Sequence, residues 1–306
     1  MIPILRAALA AVALVSVLHP LTLIAGTTDA RRPTEIRCDV LPNGLVLVPV
    51  TLNRGDRPHL FLLDTGAVTT MLSDRLARRL GLVAASRDRM EMPSGSRTVD
   101  IGQVAELRIG SERFTNVEVL WTDLQHLRTV DPRIEGVVAQ DVLRRRNVFL
   151  DYEIGRLMFG AADDARVARG EPVPIEWAEN RPMVRTHVHA SDGEERSSVE
   201  RRLVIDSAAS HMVLFDTGDE ATERSLEALR RSAATAMTMT DHGGSAPVLT
   251  ATVRRLSLAS ISLRDVRAAL VPVDPRLGRP EDGLLPASLF RALYFDNHAG
   301  VVVLIR

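Results

Sequence analysis

Two aspartates stand out because each directly follows a run of large apolar residues. Asp64 follows Phe61-Leu62-Leu63, and Asp206 follows Leu203-Val204-Ile205. Such runs predict buried strands, so each carboxyl group would lie where a strand leaves the core. A carboxyl group in that place can accept or donate a proton, which is the chemistry of general acid and base catalysis. Whether the two can act together depends on the elements that carry them.

The first aspartate begins a pattern of strand, turn and helix. Asp64-Thr65-Gly66-Ala67 is followed by an apolar and β-branched run that ends at Ser73, which is a predicted N-cap for a helix over residues 74–80. With these flanks the segment resembles the pepsin-like and retropepsin-like aspartic proteases. The resemblance implies a second aspartate that faces the same water molecule from another lobe. It also places a flap at the predicted hairpin near Ser94-Gly95.

The second half of the chain repeats the pattern of the first half. Five segments recur in the same order: residues 61–73 correspond to 202–215, 90–95 to 237–244, 104–109 to 253–258, 136–138 to 283–285, and 151–156 to 296–301. Ordered self-similarity of this kind indicates an internal duplication. The duplication aligns Asp206 with Asp64. Together with the resemblance it predicts an all-β fold of two homologous acid-protease-like β-barrel lobes with short helices, and an active site at the lobe interface.

The predicted boundaries follow from composition. Residues 1–30 combine a basic start, a short apolar stretch broken at His19-Pro20 and small residues near Ala30, which is typical of a secretory signal peptide. An N-terminal lobe over residues 31–160 follows, then a polar linker over 161–174 and a C-terminal lobe over 175–306. The apolar stretch is almost long enough to span a bilayer, so a retained membrane anchor is the alternative.

The resemblance also implies roles for the residues around the two aspartates. Asp64 and Asp206 would be catalytic, and the hydroxyl groups of Thr65 and Ser207 would cross-brace the two loops. The backbone on either side would line the substrate cleft; these residues are Gly66, Ala67, Ala208 and Ala209. Ala208 stands where the family has glycine, so a methyl group would strain the second loop if its φ were positive.

Two other groupings are less suited to catalysis. Asp216-Thr217-Gly218 repeats the tripeptide literally, but in the duplication Asp216 corresponds to Asp74, which lies beyond the first loop. Ser210 and His211 are neighbours, and on a strand their side chains would point to opposite faces. Neither grouping is therefore predicted to supply the catalytic residues.

Composition excludes several classes of function. The net charge is only −1 and aromatic residues make up 4%, so a nucleic-acid partner is not expected. The absence of lysine rules out lysine chemistry and a P-loop. No metal or cofactor motif is recognisable, and neither group is expected. The only cysteine, Cys38, cannot form an internal disulfide.

The sequence therefore predicts an exported aspartic endopeptidase that acts on peptides or proteins, with a bell-shaped pH profile and an acidic optimum. We expect a monomer in a bacterial periplasm or outside the cell, without stable membrane insertion after signal cleavage. A lobe pair that has lost catalysis and binds peptides is the main alternative. A β-rich structural domain without a cleft is a third, which the ordered repeat disfavours.

Overall fold

The computed structural model describes residues 34–306 except 93–94, 162–163, 191–197, 219–225, 232, 234 and 242–243. The predicted signal peptide and Ser94 of the predicted flap hairpin lie outside this part. Within it, no helix combines the length and the hydropathy needed to cross a membrane.

Strands dominate the first half of the described chain. They are β1 (Thr34–Arg37), β2 (Asp39–Val40), β3 (Val46–Leu52), β4 (His59–Leu63), β5 (Met71–Ser73), β6 (Ser86–Met92), β7 (Gly95–Ile109), β8 (Glu112–Thr122), β9 (Ile134–Val138), β10 (Val148–Asp151) and β11 (Arg156–Phe159). Three short helices interrupt them: α1 (Asp74–Arg79), α2 (Gln125–Val130) and α3 (Gln140–Leu143).

The second half follows the same order. Its strands are β12 (Glu171–Pro174), β13 (Glu176–Ala178), β14 (Arg181–His189), β15 (Ser198–Asp206), β16 (Met212–Asp216), β17 (Thr235–Asp241), β18 (Gly244–Leu258), β19 (Ile261–Pro272), β20 (Gly283–Pro286), β21 (Ala292–Asp296) and β22 (Val301–Ile305). Residues 226–231 are helical, and short 3-10 helices occupy Val167–Arg169, Pro275–Leu277 and Ala287–Leu289.

Each half closes into a six-stranded barrel. In lobe one the ring runs β3, β4, β9, β5, β8 and β7, and β7 pairs back onto β3. In lobe two it runs β14, β15, β20, β16, β19 and β18, and β18 pairs back onto β14. The equivalence holds strand by strand. The prediction of an all-β protein with two homologous barrel lobes is therefore confirmed.

The two barrels belong to one compact unit and share a third sheet. Its order is β1-β11-β10-β21-β22-β12, so three strands of the first half and three of the second half meet where β10 pairs with β21. Strand β12 lies at the edge of this sheet and occupies the end of the segment that we interpreted as a linker. These four residues form a strand that the polar composition of the segment did not indicate. Pro172 and Pro174 made a strand unexpected from the sequence. An edge strand tolerates proline because one side of its backbone needs no ladder hydrogen bond.

A glycine in each barrel permits the close crossing on which the aspartate loops depend. Strand β9 lies between β4 and β5, and a Cβ atom on Gly136 would be 2.4 Å from Cε2 of Phe61 and 2.6 Å from the carbonyl oxygen of Met71. At the equivalent Gly283 a Cβ atom would be 2.0 Å from the carbonyl oxygen of Val213. In each barrel an apolar strand with a glycine therefore passes beside the strand that carries the aspartate.

Helix α1 begins as its sequence predicts. Ser73 is the N-cap, and its Oγ accepts a hydrogen bond from the backbone N–H of Leu76 at 3.2 Å. Leu76 and Ala77 bury the inner face of the helix, while Asp74 lies in the first turn, where a negative charge is favoured. The helix therefore fixes the far end of the segment that starts at Asp64.

Candidate active site

Asp64 and Asp206 occupy equivalent positions in the two barrels. Asp64 follows the last residue of β4, whose parallel neighbour is β9, and its backbone N–H donates to Val138 at 2.9 Å. Asp206 is the last residue of β15, whose parallel neighbour is β20. Carboxyl ends of parallel strands open towards one edge of a sheet, so both side chains emerge at the mouth of their barrel.

Thr65 and Ser207 lock the two loops together through four reciprocal hydrogen bonds. Thr65 Oγ1 donates to the carbonyl oxygen of Ile205 at 2.7 Å and accepts from the Ser207 N–H at 3.0 Å. Ser207 Oγ donates to the carbonyl oxygen of Leu63 at 2.7 Å and accepts from the Thr65 N–H at 3.0 Å. Both side chains are buried. The brace joins the lobes at the two aspartates, so their relative position depends on it.

The aspartate side chains accept hydrogen bonds from their own loops. Oδ1 of Asp64 accepts from the backbone N–H groups of Gly66 at 2.9 Å and Ala67 at 2.8 Å. Oδ1 of Asp206 accepts from the N–H of Ala208 at 2.7 Å. Asp206 also accepts from the backbone N–H of Ala209. A Cβ atom on Gly66 would lie 2.8 Å from Oδ2 of Asp206, which shows how closely the first loop approaches the second carboxyl group.

Burial raises the pKa of both carboxyl groups well above the ordinary aspartate range. For Asp64 the negative charge of Asp206 adds to desolvation, and the loop hydrogen bonds only partly oppose it. For Asp206 desolvation is opposed by loop hydrogen bonds and by the positive charge of Arg181, so its pKa is raised less. Two carboxyl groups in this relation do not ionise together easily, so one keeps its proton when the other is charged.

Ala208 does not strain its loop. Its φ is not among the positive values of the described residues, so the premise that the methyl group is strained is wrong for this backbone. The partly exposed Ala208 instead packs against an apolar cluster of lobe one. The methyl group therefore makes a contact between the lobes. Ala67 and Ala209 are also partly exposed beside the aspartates.

Further residues support the first loop. The side chain of Gln140, at the start of α3, is buried and donates from Nε2 to the carbonyl oxygen of Thr65 at 2.8 Å. Oδ1 of Asp141 accepts from the N–H and the Oγ1 of Thr70, at 3.0 and 2.7 Å. Nothing in the sequence spacing indicated these partners.

Tyr152 lies close enough to Asp206 to be affected by its charge. Burial and the Asp206 carboxylate both raise the pKa of the phenol, which therefore stays protonated. Its buried hydroxyl group has no hydrogen-bond partner in the described part of the chain. The sequence did not indicate Tyr152, which lies in the turn after β10 and far along the chain from both aspartates.

The two groupings that the sequence disfavoured are the tripeptide that begins at Asp216 and the neighbours Ser210 and His211. Asp216 ends β16, where it pairs with Arg230 and accepts from the Gly218 N–H at 3.1 Å. Oγ of Ser210 and Nδ1 of His211 are 3.1 Å apart on the surface. The argument that these two point to opposite faces is wrong, because they lie in a bend between β15 and β16.

Comparison with known families agrees with this geometry for lobe one. Residues 48–142 match the family model described as Aspartyl protease, a range that includes Asp64 and ends within α3. No curated protein sequence matches the chain. The matched range lies within lobe one and does not include Asp206. The similarity of lobe two to lobe one therefore rests on its repeated strand topology and on the hydrogen bonds between Thr65 and Ser207.

Proposed function

We propose that this chain, which has the bilobal fold of the retropepsin-like aspartyl proteases, is an aspartic endopeptidase whose catalytic dyad is Asp64 and Asp206. The single observation that carries the proposal is the reciprocal brace between Thr65 and Ser207. It presents two aspartates, one from each lobe, at one interface. A β-rich structural domain without a cleft would not require two aspartates at the interface between its lobes.

The proposed chemistry follows from the shared proton. The ionised carboxyl group takes a proton from a water molecule held between the two, and the oxygen of that water attacks the scissile carbonyl carbon. The protonated carboxyl group donates to the carbonyl oxygen. When the tetrahedral intermediate collapses, a proton passes to the nitrogen of the leaving amine and the C–N bond breaks. In this proposal the hydrolysis requires the two carboxyl groups and the water molecule between them.

The test is cleavage of a diverse peptide mixture by the purified chain across pH, with and without pepstatin. The proposal predicts cleavage products that pepstatin suppresses. Asp216→Asn is a matched control because Asp216 lies in a tripeptide of the same sequence but outside the interface, and it should retain most of the activity. Peptides that bind without being cleaved would instead favour the binding module.

We also propose that the chain is exported and acts as a monomer. Export is supported by the signal-like sequence of residues 1–30 alone. A monomer is supported by the position of both aspartates in one chain, which leaves no residue of the dyad for a second copy to supply. Fractionation of the native host and sedimentation of the purified protein test these two points; a cytoplasmic product or a dimer that dissociates with loss of activity would contradict them.

A further inference from the structure

The two lobes differ in what lies behind their aspartates. Leu47 pairs with Leu62, so Leu45, two residues earlier, lies opposite Asp64. In lobe two Met183 pairs with Val204, so Arg181 lies opposite Asp206. An apolar residue therefore corresponds to an arginine at the position next to the carboxyl group.

A second position differs in the same way. Gly136 of β9 and Gly283 of β20 are equivalent, since each lies beside its aspartate strand. Two residues before them the chain has Ile134 in lobe one and Glu281 in lobe two, and both are buried. The duplication has thus placed an apolar pair beside the strand that leads to Asp64 and an oppositely charged pair beside the strand that carries Asp206.

Arg181 and Glu281 form a bidentate ion pair. Nη1 of Arg181 donates to Oε1 of Glu281 at 2.7 Å, and Nη2 donates to Oε2 at 2.8 Å. The Glu281 side chain is 0% exposed and that of Arg181 is 12% exposed, so solvent screens neither charge well. Arg279 also donates to Glu281, at 3.1 Å. Nη2 of Arg181 also donates to Glu179 at 2.9 Å, but Glu179 is exposed, so solvent screens its charge. Arg181 is therefore a positive charge behind Asp206 whose buried partner, Glu281, it shares with Arg279.

Asp64 has the opposite surroundings. Leu45 and Ile134 belong to an apolar cluster of lobe one, against which Ala208 packs from lobe two. An apolar environment favours the neutral form of a carboxyl group. The same sequence difference therefore favours a proton on Asp64 and a negative charge on Asp206.

We propose that the Arg181–Glu281 pair is a positioning device that keeps Asp206 ionised as the general base and leaves the shared proton on Asp64, the general acid. Its role in catalysis rests on the proposed peptidase function. The placement of the proton is a property of the resting protein and does not depend on turnover.

The other charges at the site agree with this placement. The pKa of Asp64 is raised more than that of Asp206, and Arg181 is the positive charge that opposes the rise at Asp206. The titratable and charged groups around Asp206, across the lobe interface, on the shared sheet and on β14 with its neighbours, include Asp64, Tyr152, Arg181, Glu179, Glu281 and Arg279. Glu179 is exposed and Tyr152 stays neutral, so Arg181 has the largest effect of the groups behind Asp206.

The test is a carbon-13 NMR titration of the full chain labelled at the aspartate carboxyl carbons, with Asp64→Asn and Asp206→Asn to assign the two signals. The wild-type protein should show Asp206 titrating at lower pH than Asp64. Arg181→Leu combined with Glu281→Ile gives lobe two the residues of lobe one. The double variant should raise the measured pKa of Asp206 by about 1–3 pH units, the range associated with a nearby opposite charge.

A second variant keeps the test decisive if the double variant does not fold. Glu281→Gln conserves volume but leaves Arg181 with the exposed Glu179 as its acidic partner in place of a buried one, so it should lower the pKa of Asp206. These opposite directions would not arise from a general loosening of the fold. Arg181→Lys keeps the positive charge, so it should change the pKa of Asp206 less than the double variant does.

The matched control is Asp216→Asn combined with Arg230→Gln, which removes another partly buried ion pair of lobe two and should leave both titrations in place. An Asp206 titration that stays unchanged in Glu281→Gln, or that lies above Asp64 in the wild type, overturns the proposal. An inactive chain with the expected order of titration would instead refute the peptidase function alone. In an active chain, the double variant should also shift the acid limb of the plot of kcat/KM against pH to higher pH.

Discussion

Gly66 of lobe one lies directly against the carboxyl group of Asp206 in lobe two. A Cβ atom on Gly66 would be 2.7 Å from Cγ and 2.8 Å from Oδ2 of Asp206, closer than real Cβ atoms approach other heavy atoms. Asp206 cannot move aside easily, because it is buried and held by the N–H of Ala208. The absence of a side chain at Gly66 is therefore a condition for the pairing of the two aspartates.

Gly66→Ala should separate the aspartates and lower kcat/KM by at least about 100-fold, while overpacking costs about 1–3 kcal/mol of stability. Peptide cleavage and urea unfolding measure the two effects. Gly81→Ala is the matched control: Gly81 has a φ of +65° but open space around it, so the variant should lose about 1 kcal/mol of stability and keep its activity. Full activity in Gly66→Ala would contradict the geometry.

Thr65→Val should destabilise the protein by about 1–3 kcal/mol, because it leaves the Ser207 N–H and the carbonyl oxygen of Ile205 buried without partners. Thr65→Ser restores the hydroxyl group and should recover most of the loss. Urea unfolding gives the stability, and kcat/KM should fall with the loss of alignment. A valine variant as stable as the wild type would show that the brace contributes nothing.

Ala208→Gly should not raise turnover, because Ala208 has no positive φ for glycine to relieve. The substitution removes a methyl group that packs on lobe one and adds freedom to the unfolded chain, so it should lower stability by about 1 kcal/mol. Unfolding and steady-state cleavage test both statements. A several-fold rise in kcat would instead support the hypothesis that the methyl group of Ala208 strains the loop.

Stability should fall as pH rises, because both aspartates have raised pKa values in the folded protein. A folded state that binds more protons than the unfolded state loses stability from about pH 4, where unfolded carboxyl groups titrate, up through the raised pKa values. Asp64→Asn removes the group whose pKa is raised most. Its unfolding free energy should exceed that of the wild type at neutral pH by on the order of 1–3 kcal/mol, and the difference should vanish in acid. An equal pH slope in both proteins would contradict the raised pKa.

The same pKa values change the expected pH optimum. The sequence predicted an acidic optimum from the shared proton alone. Burial raises the pKa of both members of the pair, so the bell should lie at higher pH than two solvent-exposed carboxyl groups would give. A pH series of kcat/KM measures its limits, which belong to the pair and not to either residue.

Much of the fold was predictable because local patterns agreed with the global repeat. The apolar run before Asp64, the N-cap Ser73 and the glycine at 136 each specify a local element, and their recurrence specified the second barrel. What escaped prediction depends on register between distant strands. Arg181 and Glu281 are 100 residues apart and meet only because both flank the strand that carries Asp206. Strand β12 escaped because its prolines are tolerated only at a sheet edge.

The most direct measurement of the central claim is peptide cleavage by Asp64→Asn, Asp206→Asn and the double variant, in preparations shown by thermal unfolding to be folded. If the two carboxyl groups share one proton and act as a unit, each single variant should lose essentially all turnover, and the double variant should be scarcely worse than either one. Asp216→Asn, measured beside them, should remain active. Cleavage that persists at the wild-type rate in both single variants would contradict the assignment of the dyad.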